Sequence, residues 1–322
     1  MSGLVDGRWE RDTYRPRTKN GAFARADAQF RDWVRADGTS AFAPEKDRYH
    51  LYVSYACPWA HRALIFRKLK ALEDVISVSV VDPIMGADGW FFSEHPGSTL
   101  DAVNGCQCLH QIYTLADAAY SGSVTVPVLW DKRSGAIVNN ESSEIIRMLN
   151  SEFDEFGVAE PDFYPPTLRS EIGEINQLIY DRVNNGVYRA GFAANQEAYD
   201  RAFRGLFDTL DKLEQRLDTR RYLLGGQLTE ADWRLFTTLV RFDSVYYGHF
   251  KCNARRITDY PNLWGYVREL YQYPGVAETV RLDHIKRHYY ASHPSINPTG
   301  IVPSGPIIDF DAPHNRAQLQ AA

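Results

Sequence analysis

The sequence predicts an α/β N-terminal domain followed by an all-α C-terminal domain. Three observations carry this expectation. A strand–helix–strand run spans Tyr49 to Val81, a hairpin followed by a helix spans Thr125 to Asn150, and helical periodicity takes over from about Thr167. At 322 residues the chain has room for two compact domains.

The first forty-odd residues have weak periodicity and scattered Arg, Asp and Gly, so 1–45 is expected as an extension wrapping the surface. Tyr49–Tyr55 (YHLYVSY) is rich in β-branched and aromatic residues and predicts a strand. The helix that follows Cys57-Pro58-Trp59-Ala60 places Ala60, Ala63 and Leu64 on helical spacing. Arg67, Lys68 and Lys70 gather at its C-terminal end, where the dipole favours cations. Val75–Val81 is a second strand, and strand–helix–strand implies parallel pairing with a right-handed crossover. Residues 83–122, rich in glycine, interrupt the pattern with a short helix near Ile112–Ala119. Thr125–Trp130 and Gly135–Val138 read as a hairpin, and a helix opens at Glu141-Ser142. The order β-α-β-(α)-β-β-α is that of a thioredoxin-like domain over 46–155.

Beyond it, Ile172, Ile175, Ile179 and Val183 form one apolar stripe, and Phe203, Leu206, Phe207, Leu210, Leu213 and Leu217 form another. After Gly225-Gly226, Thr229 is a natural N-cap with Asp232 as its return partner. Leu263, Tyr266, Val267 and Leu270 mark a further helix, completing a helical domain over 160–292. The proline-rich tail, 293–322, is expected as an extended strap.

Composition narrows the chemistry. The charge is −5, from 36 basic and 41 acidic residues, so nothing favours nucleic acid or an anionic membrane as partner. No apolar run approaches bilayer length, and the start MSGLVDGRWERDTYR lacks a signal-peptide core. Four unevenly spaced cysteines do not form a disulfide framework, so a cytoplasmic protein with reduced thiols is expected. The 19 tyrosines and seven tryptophans suit an aromatic ligand, although most simply pack.

Cys57 sits between a strand and a helix, with Pro58 at the first helical position. Unpaired backbone N–H groups and the positive end of the helix dipole favour a thiolate there, which predicts a nucleophile. Ala60 stands where a dithiol enzyme would carry its resolving cysteine, so an external thiol must complete any cycle. The abundant cytoplasmic candidate is glutathione. Val126-Pro127 is expected to be cis, leaving the Val126 backbone to pair with an extended peptide. Glu141-Ser142 by itself is an ordinary helix start. Together with Pro127 and Cys57 it can hold the ammonium and carboxylate of a γ-glutamyl group.

Cys57-Pro58-Trp59-Ala60, Thr125-Val126-Pro127 and Asn140-Glu141-Ser142 together resemble a glutathione transferase. The segments CPWAHR, DPIMGADGWFF, TVPVLWDK, VNNESSEIIRMLN, NNGVYRAGFA and DHIKRHYYASHPSINPTGIVPSGP resemble one branch, the glutathionyl-hydroquinone reductases or Xi class. The similarity runs from about Tyr49 to Pro306. The cysteine motif alone also suits omega-class transferases, and the later segments decide.

The resemblance implies the glutathione transferase fold and a reduction that takes a glutathionyl-hydroquinone and glutathione to hydroquinone and glutathione disulfide. Cys57 would carry the mixed disulfide. Trp90, the Val126 backbone, Glu141 and Ser142 would contact glutathione, with no metal required. Tyr188 and Tyr289 would lie near the substrate ring, with Tyr290 the neighbour most easily confused with Tyr289. Phenols suit a departing aromatic carbon, whose negative charge they can bond or protonate. The family's dimeric habit implies a homodimer. One departure is Ser123, where the family commonly carries an arginine that helps hold glutathione.

Other clusters are weaker. Cys106, Cys108 and His110 fall short of a tetrahedral metal set. His61 is expected to make a helix-surface contact, and His284 and His288 to lie on a solvated helix face. Two rival functions remain at this level: a thioltransferase or dehydroascorbate reductase using the same cysteine, and a non-catalytic transferase-like interaction module.

Overall fold

A computed structural model describes residues 3–11 and 21–319, and the chain divides into two compact units. The first comprises 1–16, 25–161 and 283–288, and the second 17–24, 162–282 and 289–322.

The first unit begins with an antiparallel hairpin of β1 (Gly3–Val5) and β2 (Arg8–Glu10). Asp6 and Gly7 at its turn both have positive φ, the geometry that suits a two-residue hairpin loop. The segment expected as an extension wrapping the surface therefore includes a paired hairpin. Three residues per strand are too few for alternation to register in sequence.

The main sheet has the order β4-β3-β5-β6. Its centre is β3 (Tyr49–Val53), buried at every position. It pairs in parallel with β4 (Ser77–Val80) and antiparallel with β5 (Val128–Asp131), which pairs antiparallel with β6 (Ala136–Asn139). Between β3 and β4 runs α1 (Pro58–Leu69), which packs against α3 (Ser142–Ser151).

Boundaries move by a few residues from the sequence expectation, each for a local reason. The strand at Thr125 enters the ladder only at Val128, because Pro127 has no N–H to donate. The short helix is α2 (Leu109–Ala116) rather than Ile112–Ala119. Cys108 and Gln111 form a capping box at its start, and the extended Asp117 ends it. The glycine-rich insert is ordered by Asp101, which accepts hydrogen bonds from the Tyr52 hydroxyl (3.0 Å) and the Val103, Asn104 and Cys106 N–H groups (3.0, 3.2 and 3.0 Å).

The second unit is helical: α4 (Arg169–Ile179), α5 (Gly186–Gly191), α6 (Gln196–Thr219), α7 (Glu230–Arg241) and α8 (Pro261–Tyr271), followed by the latter part of α9 (Leu282–Ser292). Every residue of α7 is buried, so it is the core helix of this unit. Its start matches the sequence expectation. The Asp232 carboxylate accepts the Thr229 N–H at 2.8 Å and hydroxyl at 3.1 Å. Single π-helical turns at 180–184 and 242–246 extend α4 and α7, a local feature common at functional sites. The tail from 293 has no regular structure until a short 3-10 turn at Arg316–Gln318. Arg316 is buried there and donates to the Leu217, Arg220 and Arg221 carbonyls at and beyond the end of α6.

Candidate functional site

Cys57 is the N-cap of α1, extended at φ −77° and ψ 121°, with Pro58 as the first helical residue. Its Sγ accepts the Ala60 N–H at 3.5 Å. One of the helix's otherwise unpaired donors therefore points at the sulfur, a contact that stabilises a thiolate over a thiol. The thiol also lies 3.5 Å from the Val126 carbonyl oxygen, to which it can donate. Val126-Pro127 is cis, as the sequence predicts. Part of the Val126 backbone expected to face a peptide thus already answers the thiol, and ionisation of Cys57 releases that carbonyl. Trp59 lies beneath two cations, the Arg62 guanidinium at 4.5 Å and that of Arg25 at 4.8 Å from its ring centre.

Glu141 caps α3. Its Oε1 accepts the Ser143 N–H at 2.9 Å and the Ser143 hydroxyl at 2.8 Å. Ser142 is buried and its Oγ accepts Arg62 Nη1 at 3.3 Å. An anionic carboxylate and a cation-backed hydroxyl therefore sit on adjacent residues, a pair suited to a zwitterion. Arg62, itself buried, is the residue that sequence reasoning missed here. Its signal was its place in CPWAHR, five residues after Cys57, but a buried arginine is not distinguishable from a surface one by spacing. Ser123 offers its carbonyl to the Tyr120 hydroxyl at 3.1 Å and supplies no charge.

Trp90 is buried, stacked on His288 at 4.7 Å between ring centres and 21° between planes. Its carbonyl accepts the Leu109 N–H at 2.9 Å. His288 Nδ1 meets the Pro83 carbonyl at 2.9 Å, and His284 Nε2 the Pro96 carbonyl at 2.7 Å. The expectation that these two histidines lie on a solvated face is wrong: both are buried. His61 is buried too, not on the helix surface. Helical spacing puts residues on a common face without saying what covers that face.

In the second unit Tyr188, from α5, and Tyr289, from α9, share a hydrogen bond of 2.5 Å between hydroxyl oxygens. Tyr246, from the π-helical turn after α7, joins them with its hydroxyl 3.0 Å from that of Tyr289. Tyr290 points elsewhere, toward the Ser244 carbonyl at 3.5 Å. Tyr188 is half-buried, whereas Tyr246 and Tyr289 are fully buried, so the three phenols form a chain running inward. Burial first, and then the neighbouring phenols, hold Tyr246 and Tyr289 well above the usual tyrosine range, with Arg241 opposing. They are neutral donors, and a linked chain of donors polarises along its length. Phe23, Phe192 and Phe250 flank the Tyr188 ring at 6.3, 6.3 and 5.6 Å. Gly191 lets α5 approach Phe250, whose ring would lie 2.2 Å from any Cβ. Tyr246 was not singled out by the sequence, where it is one of 19 tyrosines.

Cys106 and Cys108 are half-buried, and burial pushes the Cys106 thiol up to about 11. Among the described residues no three His, Cys, Asp or Glu side chains are placed to hold a metal ion. None of the described helices is long and apolar enough to cross a membrane.

Comparison with known proteins gives a consistent result. The family "Glutathione S-transferase, N-terminal domain" matches residues 56–152, and "Glutathione S-transferase, C-terminal domain" matches 196–269. Glutathionyl-hydroquinone reductase YqjG of Escherichia coli is 56% identical over 98% of this chain and 98% of its own length. The glutathione-bound structure of YqjG superposes with a TM-score of 0.88 at 59% identity, covering 89% of this chain and 96% of that one. A Xi-class transferase structure from Natrialba magadii gives a TM-score of 0.93 at 51% identity, covering 99% and 97%.

Proposed function

Because the chain belongs to the glutathionyl-hydroquinone reductases, the Xi class of the glutathione transferase family, we propose that it reduces glutathionyl-hydroquinones to hydroquinones through Cys57, with glutathione as co-substrate. The observation that carries the reading is the Cys57 sulfur at the start of α1, 3.5 Å from the Ala60 N–H and with no cysteine at residue 60 to resolve it.

In the first step the Cys57 thiolate attacks the sulfur of the glutathionyl group. A Cys57–glutathione disulfide forms and the sulfur–ring bond breaks, its electron pair passing to the aromatic carbon, which takes up a proton. In the second step the thiolate of another glutathione attacks that disulfide, releasing glutathione disulfide and the Cys57 thiolate. Sulfur is oxidised and the ring reduced, and the net change consumes one glutathionyl-hydroquinone and one glutathione.

Glutathione is assigned to Trp90, the Val126 backbone, Glu141 and Ser142. Glu141 takes the γ-glutamyl ammonium and Ser142 the carboxylate, with Arg62 behind Ser142 adding the positive charge that Ser123 does not. Tyr188 and Tyr289 are assigned to the departing ring, bonding the negative charge it develops and supplying its proton. The 2.5 Å contact between them supports this, since a phenol that loses a proton is best stabilised by a second donor already in place. We further assign the enzyme to the cytoplasm as a homodimer, on the strength of cysteines that form no disulfide and of its architecture. Sedimentation of the purified protein and cell fractionation test these two points.

The decisive experiment is mass spectrometry after incubation with a glutathionyl-hydroquinone alone. A glutathione adduct on Cys57 and an equivalent of free hydroquinone are expected before any second thiol is added. Turnover of small mixed disulfides with no turnover of glutathionyl-hydroquinones would instead make the protein a general thioltransferase.

A further inference from the structure

The N-terminal hairpin grips two segments at once. Leu4 and Gly122 exchange backbone hydrogen bonds at 3.0 and 2.9 Å, Gly7 N–H donates to the Tyr120 carbonyl at 3.0 Å, and Asp6 N–H donates to Ser121 Oγ at 2.8 Å. The hairpin is thereby tied to the stretch that runs directly into Val124–Pro127.

Two residues past Gly7, Trp9 engages the loop 86–89. Its indole N–H donates to the Ala87 carbonyl at 3.0 Å, and its ring stacks on His110 at 4.8 Å and 18°. The ring also lies across Gly89, which has φ +76° and where a Cβ would come within 2.7 Å of indole Cη2. Only glycine combines that backbone with so close an approach. Arg11 adds a two-pronged contact to Asp88, at 3.2 and 2.7 Å. The next residue after this loop is Trp90.

The loop closes on itself through Gly86 and Gly89, whose N–H and C=O groups bond reciprocally at 3.1 Å. Self-closure fixes the shape of the loop but not its tilt. From outside the loop, Trp9 adds a hydrogen bond and a broad apolar surface, and the hairpin links the loop to the segment carrying Val126.

We infer that Trp9 is a positioning residue for glutathione, holding the 86–89 loop so that Trp90 and the Val126 segment keep a fixed spacing. The inference rests on the proposed roles of Trp90 and Val126. Loss of Trp9 leaves the loop closed and lets Trp90 shift, weakening glutathione binding. The hairpin contacts described above reach residues 86–89, 110 and 120–122 rather than the start of α1.

The test measures binding of reduced glutathione by calorimetry in a Cys57→Ser background, where no mixed disulfide can form. Trp9→Ala, Trp90→Ala and the double variant are compared. Trp9→Ala is expected to weaken binding about tenfold, and the double variant to bind no more weakly than Trp90→Ala alone. With Cys57 restored, iodoacetamide alkylation of the Cys57 peptide should proceed at the parent rate in Trp9→Ala. Trp9→Phe keeps an aromatic ring but loses the indole N–H and the outer ring over Gly89, so it should weaken binding by at least about threefold and serves if the alanine variant does not fold.

Parent-like binding in Trp9→Ala, beside weakened binding in Trp90→Ala, overturns the positioning role while leaving the Trp90 assignment standing. Parent-like binding in Trp90→Ala overturns that assignment and the inference with it. Additive losses in the double variant, or slowed alkylation of Cys57, would reduce Trp9 to a general stabiliser of the unit and overturn the inference as well.

Discussion

The thiol end of the first unit and the phenol cluster of the second are built on opposite plans. Around Cys57 the decisive partners are backbone groups, the Ala60 N–H and the Val126 carbonyl, each 3.5 Å from the sulfur. Around Tyr289 they are side chains, Tyr188 at 2.5 Å and Tyr246 at 3.0 Å, drawn from α5 and from the turn after α7. A backbone-made site depends on where one residue falls relative to a helix start, so it is concentrated in a single atom. A side-chain-made site is distributed, and each member can be covered in part by the others. The first should fail completely on a single substitution, and the second by degrees.

The largest effect expected is therefore at Cys57. Cys57→Ser should cut turnover of a glutathionyl-hydroquinone by about 10³-fold or more, because the alcohol is a far poorer nucleophile and cannot form the mixed disulfide. Residual activity well above that level in a steady-state assay would mean that another group carries the chemistry.

The phenols come next. Tyr289→Phe or Tyr188→Phe should lower kcat on the order of 10²-fold, the usual weight of a proton donor. The double variant should lose less than the product of the two, since each is half of one hydrogen bond. Tyr246→Phe removes only the inner bond, worth about 1 kcal/mol or roughly fivefold in kcat. Equal losses from all three would break the inward-chain picture, and strict additivity would dissolve the cluster into independent residues.

Smaller effects probe stability. Thr229→Ala removes the cap of the buried α7 and should cost about 1 kcal/mol in thermal unfolding. The loss should fall on stability without changing glutathione binding, because that cap belongs to the second unit.

The smallest is a slope with pH. Burial holds His50 in the first unit and His249 in the second at about 4, below their unfolded value of about 6.5. Both are neutral in the fold while the unfolded chain takes up protons as pH falls below 6.5. Their contribution to stability is thus present above pH 6.5 and lost as pH falls through about 4. Burial raises Asp232 to about 6, which acts in the opposite sense between 3.8 and 6. A comparison with His249→Gln therefore isolates the histidine part, which should flatten the acid limb of the unfolding midpoint by about one proton. An unchanged limb would mean that His249 does not titrate on unfolding in this range.

The sequence alone determined what short-range rules govern. Cys57 before Pro58 announced an N-cap, Thr229 with Asp232 a capping box, and the alternation of strand and helix periods the two fold classes. Each depends on residues within a few positions of one another, and local sterics and hydrogen bonding suffice to decide it. Tertiary structure decided what meets what. It turned His61, His284 and His288 from expected surface residues into buried ones, brought Arg62 to Ser142, and added Tyr246 to the pair of phenols. Within the expected extension it placed a hairpin whose Trp9 lies across Gly89, 80 residues away. These contacts join residues far apart in the chain. Their pairing is fixed by the packing of whole elements, so periodicity could place a residue on a face but could not name its partner.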